Sequence, residues 1–279
     1  MRQIKVEDIS LKVEEMLLDA CENIPCNVLN ALKEAYKTEQ SPLAKEVINK
    51  IIQNDELAKE KHLPICQDTG VVVCFLEVGY DVHFDGDIYE AINKGVANAY
   101  TKGYLRKSVV KHPLDRVNTK DNTPAITHVK FVPGDKVKID IAPKGGGSEN
   151  MSLVKMLIPA DGIEGIKKLV LDTVFNAGGK PCPPIIVGIG IGGNLEKSAL
   201  LAKEALMREI DDVNEDPILN KLEQELKTDI NKLGVGPMGF GGKVTCLGVK
   251  INSYPCHIAS LPVAINIQCH AARHKSYII

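Results

Sequence analysis

Apolar residues recur at helical spacing from the start of the chain. Ile9, Val13, Met16, Leu17 and Ala20 share one face of a segment over 6–24, because positions three and four apart stack on a helix. A second helix is expected over 27–38. A third starts at Ser41–Pro42, a capping residue followed by a residue suited to the first turn, and runs to about Lys61. The first 62 residues thus read as a helical layer. The texture then changes. Val71–Val78, apolar but for Glu77, is a buried-strand candidate, and 88–104 is expected to be a helix. The segments 125–132 and 136–142 alternate apolar and polar residues around Pro133–Gly134, which predicts a half-buried antiparallel pair joined by a turn. Further helices are expected over 163–177, closed by Gly178–Gly179, and over 195–210 and 216–233. Further strands are expected over 184–191, 243–251 and 258–267. The fold class is α+β, a helical N-terminal layer followed by a mixed or antiparallel sheet with helices. No repeat or long linker divides the chain, so 1–279 is expected to form one domain, with a helical part over 1–62 and the rest over 63–279.

Composition narrows the function. With 279 residues and 44% hydrophobic content the chain can bury a substantial core. A net charge of −2 argues against nucleic-acid and membrane-surface partners, which select a basic face. The most apolar stretch, 185–193, is too short and too glycine-rich to span a bilayer, and the N-terminus has no apolar signal region. A cytoplasmic protein is expected, and its eight cysteines should remain thiols there unless they bind metal or react. Arginine is scarce: of 34 basic residues only Arg2, Arg106, Arg116, Arg208 and Arg273 are arginine. Where lysine is the default cation, those arginines can mark sites that use a planar fork.

Five segments concentrate glycine, proline and polar residues beyond the needs of a turn: 64–70, 144–150, 178–184, 236–242, and 254–257 with 268–273. Cys66 follows a proline and isoleucine and precedes Gln67 and Asp68; Cys182 is bracketed by prolines; Cys269 ends a predicted strand. Rigid loops of this kind hold a thiolate at fixed geometry, as a metal site demands. The spacings are long and contain no C-x-x-C, so loop or packing roles compete, and Cys256 in its Pro-Cys-His setting competes for membership. Gly145–Gly147 could turn backbone N–H groups toward an anion or form a plain turn. The glycines of 188–193 depart from dinucleotide-loop spacing, and close strand–helix packing explains them as well as a nucleotide site does.

Taken in order, PICQDTG (64–70), LRKSV with HPLDRVNTKDNTP (105–124), KGGGSEN (144–150), GGKPCPP (178–184), GIGGNLEK (190–197), GPMGFGGK (236–243) and YPCHIASLPVAINIQCHAAR (254–273) resemble the N-terminal domain of class I fumarate hydratases and the related L-tartrate dehydratases. The resemblance spans nearly the whole chain and is strongest over 64–273. It implies a [4Fe–4S] cluster held by Cys66, Cys182 and Cys269 in the 63–279 part, with one iron open to substrate, and it gives Cys256 no such role. It implies Asp68 as the acid that protonates the departing hydroxyl, and Gln67, Arg106, the Gly146 N–H and His257 as donors to a dicarboxylate. It implies an oxygen-sensitive hydro-lyase α subunit interconverting malate and fumarate, with L(+)-tartrate as the alternative substrate. A separate β subunit would complete the site, in an α2β2 assembly or around a dimer of α. A non-catalytic cluster-binding module, with every iron protein-ligated, and a nucleotide-binding enzyme remain as competing expectations.

Overall fold

A computed structural model describes all residues, Met1–Ile279. In chain order the elements are β1 (Arg2–Ile4), α1 (Val6–Glu22), α2 (Cys26–Thr38), α3 (Pro42–Lys61), β2 (Val71–Gly79), β3 (Val82–Phe84), α4 (Ile88–Lys102), β4 (Ile126–Val132) and β5 (Val137–Lys144). There follow α5 (Gly146–Glu149), β6 (Leu153–Leu157), α6 (Gly162–Ala177), β7 (Ile185–Gly192), α7 (Leu195–Ala205), α8 (Pro217–Lys232), β8 (Cys246–Tyr254), β9 (Leu261–Gln268) and β10 (Lys275–Ile278). The class is α+β, as the patterning indicates. No helix is long and apolar enough to cross a membrane.

The chain forms two compact units, each with its own core. One comprises Met1–Ile24, Asp55–Gly146 and Arg273–Ile279; the other comprises Pro25–Asn54 and Gly147–Ala272. The helices of the first 61 residues are therefore shared out: α1 belongs to the first unit, while α2 and most of α3 belong to the second.

The first unit is built on a sheet of order β10-β5-β2-β4. Here the expected pairing is corrected. β4 and β5 do not pair with each other; β2 lies between them, parallel to β4 and antiparallel to β5. Pro133–Gly134 still reverses the chain, and Asp81 donates its N–H to the Gly134 carbonyl at 3.0 Å, but the turn spans a strand rather than closing a hairpin. An inserted strand gives the buried Val72, Cys74, Leu76 and Val78 neighbours on both sides, which a two-stranded hairpin could not. The sheet packs against α1 and α4 through Ile9, Val13, Leu17, Ile92, Val96 and Ala99. Asp87 caps α4 by accepting from the N–H groups of Tyr89 and Glu90.

The second unit is built on a sheet of order β6-β9-β7-β8, with β7 parallel to β8 and antiparallel to β9. α6 and α8 contribute Ile166, Val170, Val174, Leu222, Leu226 and Ile230 to its core. α8 begins at Pro217 behind an Asp216 cap, as a helix start should. The glycines of β7 are explained by packing. A Cβ on Gly188 would stand 2.3 Å from the Ala202 carbonyl, and one on Gly190 would stand 2.0 Å from that of Ser198, so α7 lies directly on the strand. α7 ends at Ala205, earlier than its pattern predicted, and the chain turns at 206–207 and again at 210–211.

Candidate active site

In the first unit the loop 62–70 leaves α3 and enters β2, carrying Cys66, Gln67 and Asp68. It is held from beneath. Ile65 donates its N–H to the Cys21 carbonyl at 2.9 Å, and the buried Tyr100 hydroxyl donates to the Thr69 carbonyl at 2.5 Å. Thr69 Oγ1 donates to the carbonyl of Arg106 at 2.8 Å, which ties the backbone of that arginine to the same loop. Asn122, fully buried, donates from Nδ2 to the Gly70 carbonyl and accepts at Oδ1 from the N–H groups of Ser108 and Val109. The polar segment 105–124 is thus anchored to the Cys66 loop by two side chains, Thr69 and Asn122. Asn122 adopts φ 66°, a left-handed conformation that asparagine tolerates better than most residues.

Asp68 is fixed at both oxygens: Oδ1 accepts from Gly70 N–H at 3.0 Å and Oδ2 from Gly146 N–H at 2.8 Å. The Gly146 N–H expected to face a substrate therefore meets the Asp68 carboxylate. Gln67 and the Arg106 side chain are exposed.

In the second unit Cys182 sits in the 178–184 loop at φ 56°, outside the comfortable range of a residue bearing a Cβ. Met238 donates its N–H to the Pro183 carbonyl at 2.7 Å, so the glycine-rich segment 236–242 props this loop. His270 donates its N–H to the Cys182 carbonyl at 3.4 Å, which brings the Cys182 and Cys269 loops side by side. Gln268 Nε2 donates to Cys269 Sγ at 3.4 Å and to the Ala271 carbonyl at 3.1 Å. His257 lies exposed between β8 and β9. Its Nδ1 accepts the Ala259 N–H at 3.1 Å, which leaves the ring proton on Nε2 as an outward donor.

The cysteines separate by environment. Burial pushes the thiols of Cys74 and Cys246 up to about 12 and that of Cys21 up to about 11, the character of core packing. Cys66, Cys182 and Cys269 are half-buried, none is disulfide-bonded, and all three stand on tied-down loops. Cys26 and Cys256 are exposed, and Cys256 Sγ lies 3.4 Å from the Ser260 carbonyl. No three His, Cys, Asp or Glu side chains gather as the cage of a single metal ion. Thiolates on separate corners of an iron–sulfur cube stand farther apart than the ligands of one ion. Half-buried thiols on rigid loops, one of them receiving an amide N–H, suit that donor role.

Sequence reasoning missed Tyr100 and Asn122. The first looks like an ordinary helix residue, and the second is one of several polar residues in a polar segment.

The family model described as fumarate hydratase (Fumerase) matches residues 10–278. A protein of Methanocaldococcus jannaschii named "Putative L(+)-tartrate dehydratase subunit alpha" is 48% identical over 278 residues, covering 97% of this chain and 96% of its own. The L(+)-tartrate dehydratase subunit alpha of Escherichia coli O157:H7 is 31% identical, covering 92% of this chain and 86% of its own. That of Escherichia coli K12 is also 31% identical over the same shares.

Proposed function

The chain belongs to the fumarate hydratase (Fumerase) family of hydro-lyases, and from that premise we propose that it is the α subunit of an enzyme that reversibly dehydrates (S)-malate to fumarate. The observation that carries the proposal is Asp68, next but one to Cys66 and held between the Gly70 and Gly146 N–H groups. Cys66, Cys182 and Cys269 would hold a [4Fe–4S] cluster. When bound, the cluster supplies Lewis acidity at an iron that has no protein ligand.

The remaining chemistry belongs to the chain. Dehydration expels a poor leaving group, so the departing oxygen needs a proton, and Asp68 gives it from its carboxyl group. The carboxylate left behind already has an N–H donor at each oxygen, so no rearrangement is needed to stabilise it. A C4 dicarboxylate brings two charges. Arg106 offers a fork to one carboxylate, and Gln67 and the outward Nε2–H of His257 offer neutral donors. The Gly146 N–H, engaged by Asp68, is shared between that carboxylate and a bound substrate. A separate β subunit supplies the base for the C3 proton and completes an α2β2 assembly; the word "subunit" in the names of the relatives supports such a partner.

Those names also favour a second substrate, L(+)-tartrate, which differs from malate by a hydroxyl at C3. Steady-state assay of the αβ complex, reconstituted anaerobically with iron and sulfide, separates the two. Turnover of malate and fumarate without turnover of tartrate supports the proposal. Turnover of tartrate alone replaces it with the tartrate assignment, and turnover of neither by cluster-loaded complex removes both.

A further inference from the structure

Two arginines of this chain are largely buried, and they differ in one respect. Arg208 has a partner at every nitrogen: it donates to both oxygens of Asp212, to Glu223 and to the Ile251 carbonyl, as a structural arginine should. Arg273 is 2% exposed, yet its Nε and Nη1 have no hydrogen-bond partner. A buried guanidinium whose N–H groups stand unpaired is costly. A folded chain that keeps one has an anion to meet.

The surroundings locate that anion. The charge of Arg273 acts on Cys21 and Tyr100, opposing the effect of burial on both. These are the residues whose carbonyl and hydroxyl hold the Cys66–Gly70 loop from beneath. At the far tip, one point marks the relation. A Cβ built on Gly145 would lie 3.2 Å from Asp68 Oδ2 and 3.7 Å from Arg273 Nη2. The guanidinium and the carboxylate therefore flank the same stretch of backbone, which is bare because residue 145 is glycine. No role for Arg273 follows from the functional assignment above.

We propose that Arg273 is a positioning residue, the buried counter-cation of the anionic centre presented by the Cys66–Asp68 loop. This rests on that loop carrying a thiolate-held cluster. Negative charge arriving there gives the guanidinium the partner it lacks, so the residue couples occupancy of the centre to the stability of the unit.

The test compares Arg273→Met and Arg273→Lys with the wild type in the αβ complex, both stripped of cluster and reconstituted. The stripped R273M protein should unfold at or above the wild-type temperature, because an unpaired buried charge has been removed. It should lack much of the stabilisation that the wild type gains on reconstitution, and it should release iron about tenfold faster or more, the scale of one hydrogen bond to a charged group. Its cluster should have a lower midpoint potential, because a nearby cation favours the added electron, and R273K should restore the potential toward wild type. A stripped R273M protein that is clearly destabilised, with wild-type iron retention and potential once loaded, overturns the proposal and makes Arg273 a structural cation. Should R273M fail to fold, Arg273→Gln and Arg273→Lys are compared: a lowered potential in glutamine alone supports the proposal, and equal potentials overturn it. If the wild type itself takes up no cluster, the functional assignment fails, while the stripped-protein comparison still reads whether Arg273 is structural.

Discussion

The Asp68 carboxylate accepts the N–H of Gly146 at 2.8 Å across 78 residues of sequence. It joins the loop before β2 to the glycine run after β5, two strands that pair in the same sheet. Because each Asp68 oxygen meets an N–H, an asparagine there must turn its amide nitrogen toward one of them. Asp68→Asn should cost about 1 kcal/mol or more in stability from the clashing donors. It should lower kcat about a hundredfold or more through loss of the acid, with KM changed much less. Thermal unfolding and steady-state kinetics of the αβ complex check the two effects separately.

Glu39, 4% exposed, accepts four backbone N–H groups, from Gln40, Ser41, Lys243 and Val244. Burial alone would raise its pKa, but the four donors outweigh burial and hold the carboxyl below its ordinary value. Glu39→Ala leaves these donors without an acceptor in the second unit. A loss of about 2–4 kcal/mol is expected, read as a lower denaturant midpoint with an unchanged slope.

Thiol reactivity should follow the environments described above. In cluster-free protein at pH 8, an alkylating reagent should modify Cys26 and Cys256 first and Cys66, Cys182 and Cys269 more slowly. Cys21, Cys74 and Cys246, buried and held protonated, should remain unmodified until the chain unfolds. Peptide mass spectrometry reads the order. Reconstitution should then protect Cys66, Cys182 and Cys269 while leaving Cys256 reactive.

Acid should loosen the second unit through Asp212. Burial pushes this carboxyl up, but hydrogen bonds and charge from Arg208 and Lys250 prevail and hold it below its ordinary 3.8. A depressed folded-state value means that the stabilisation is complete above the unfolded value and fades as pH falls toward the folded one. The stability difference between wild type and Asp212→Asn should therefore be constant from pH 5 to 7 and shrink below about pH 3.8. Chemical denaturation across that range checks it.

Most elements were legible because they follow local rules. Ser41–Pro42 and Asp216–Pro217 mark helix starts by capping chemistry, and the stripe Ile9, Val13, Leu17 marks a buried face by period alone. The insertion of β2 between β4 and β5 was not legible, since alternation in two neighbouring segments says nothing about a third strand between them. The short edges β1, β3, β6 and β10 lack the length or pattern to announce themselves. At the site, the loops bearing Cys66, Cys182 and Cys269 stood out by composition. The bond from Gly146 to Asp68 did not, because an N–H suited to a substrate carboxylate suits a side-chain carboxylate equally. Arg273 carried one faint signal, the scarcity of arginine in a lysine-rich chain.

The most direct measurement is iron and electron-paramagnetic-resonance analysis of the reduced αβ complex, with single Cys→Ser substitutions and with added malate. Cys66→Ser, Cys182→Ser and Cys269→Ser should each abolish or severely deplete the cluster, Cys256→Ser should retain it, and malate should shift the wild-type signal. Full cluster content after loss of any one of those three thiols, or a loaded wild type whose signal ignores malate, would contradict the proposed centre.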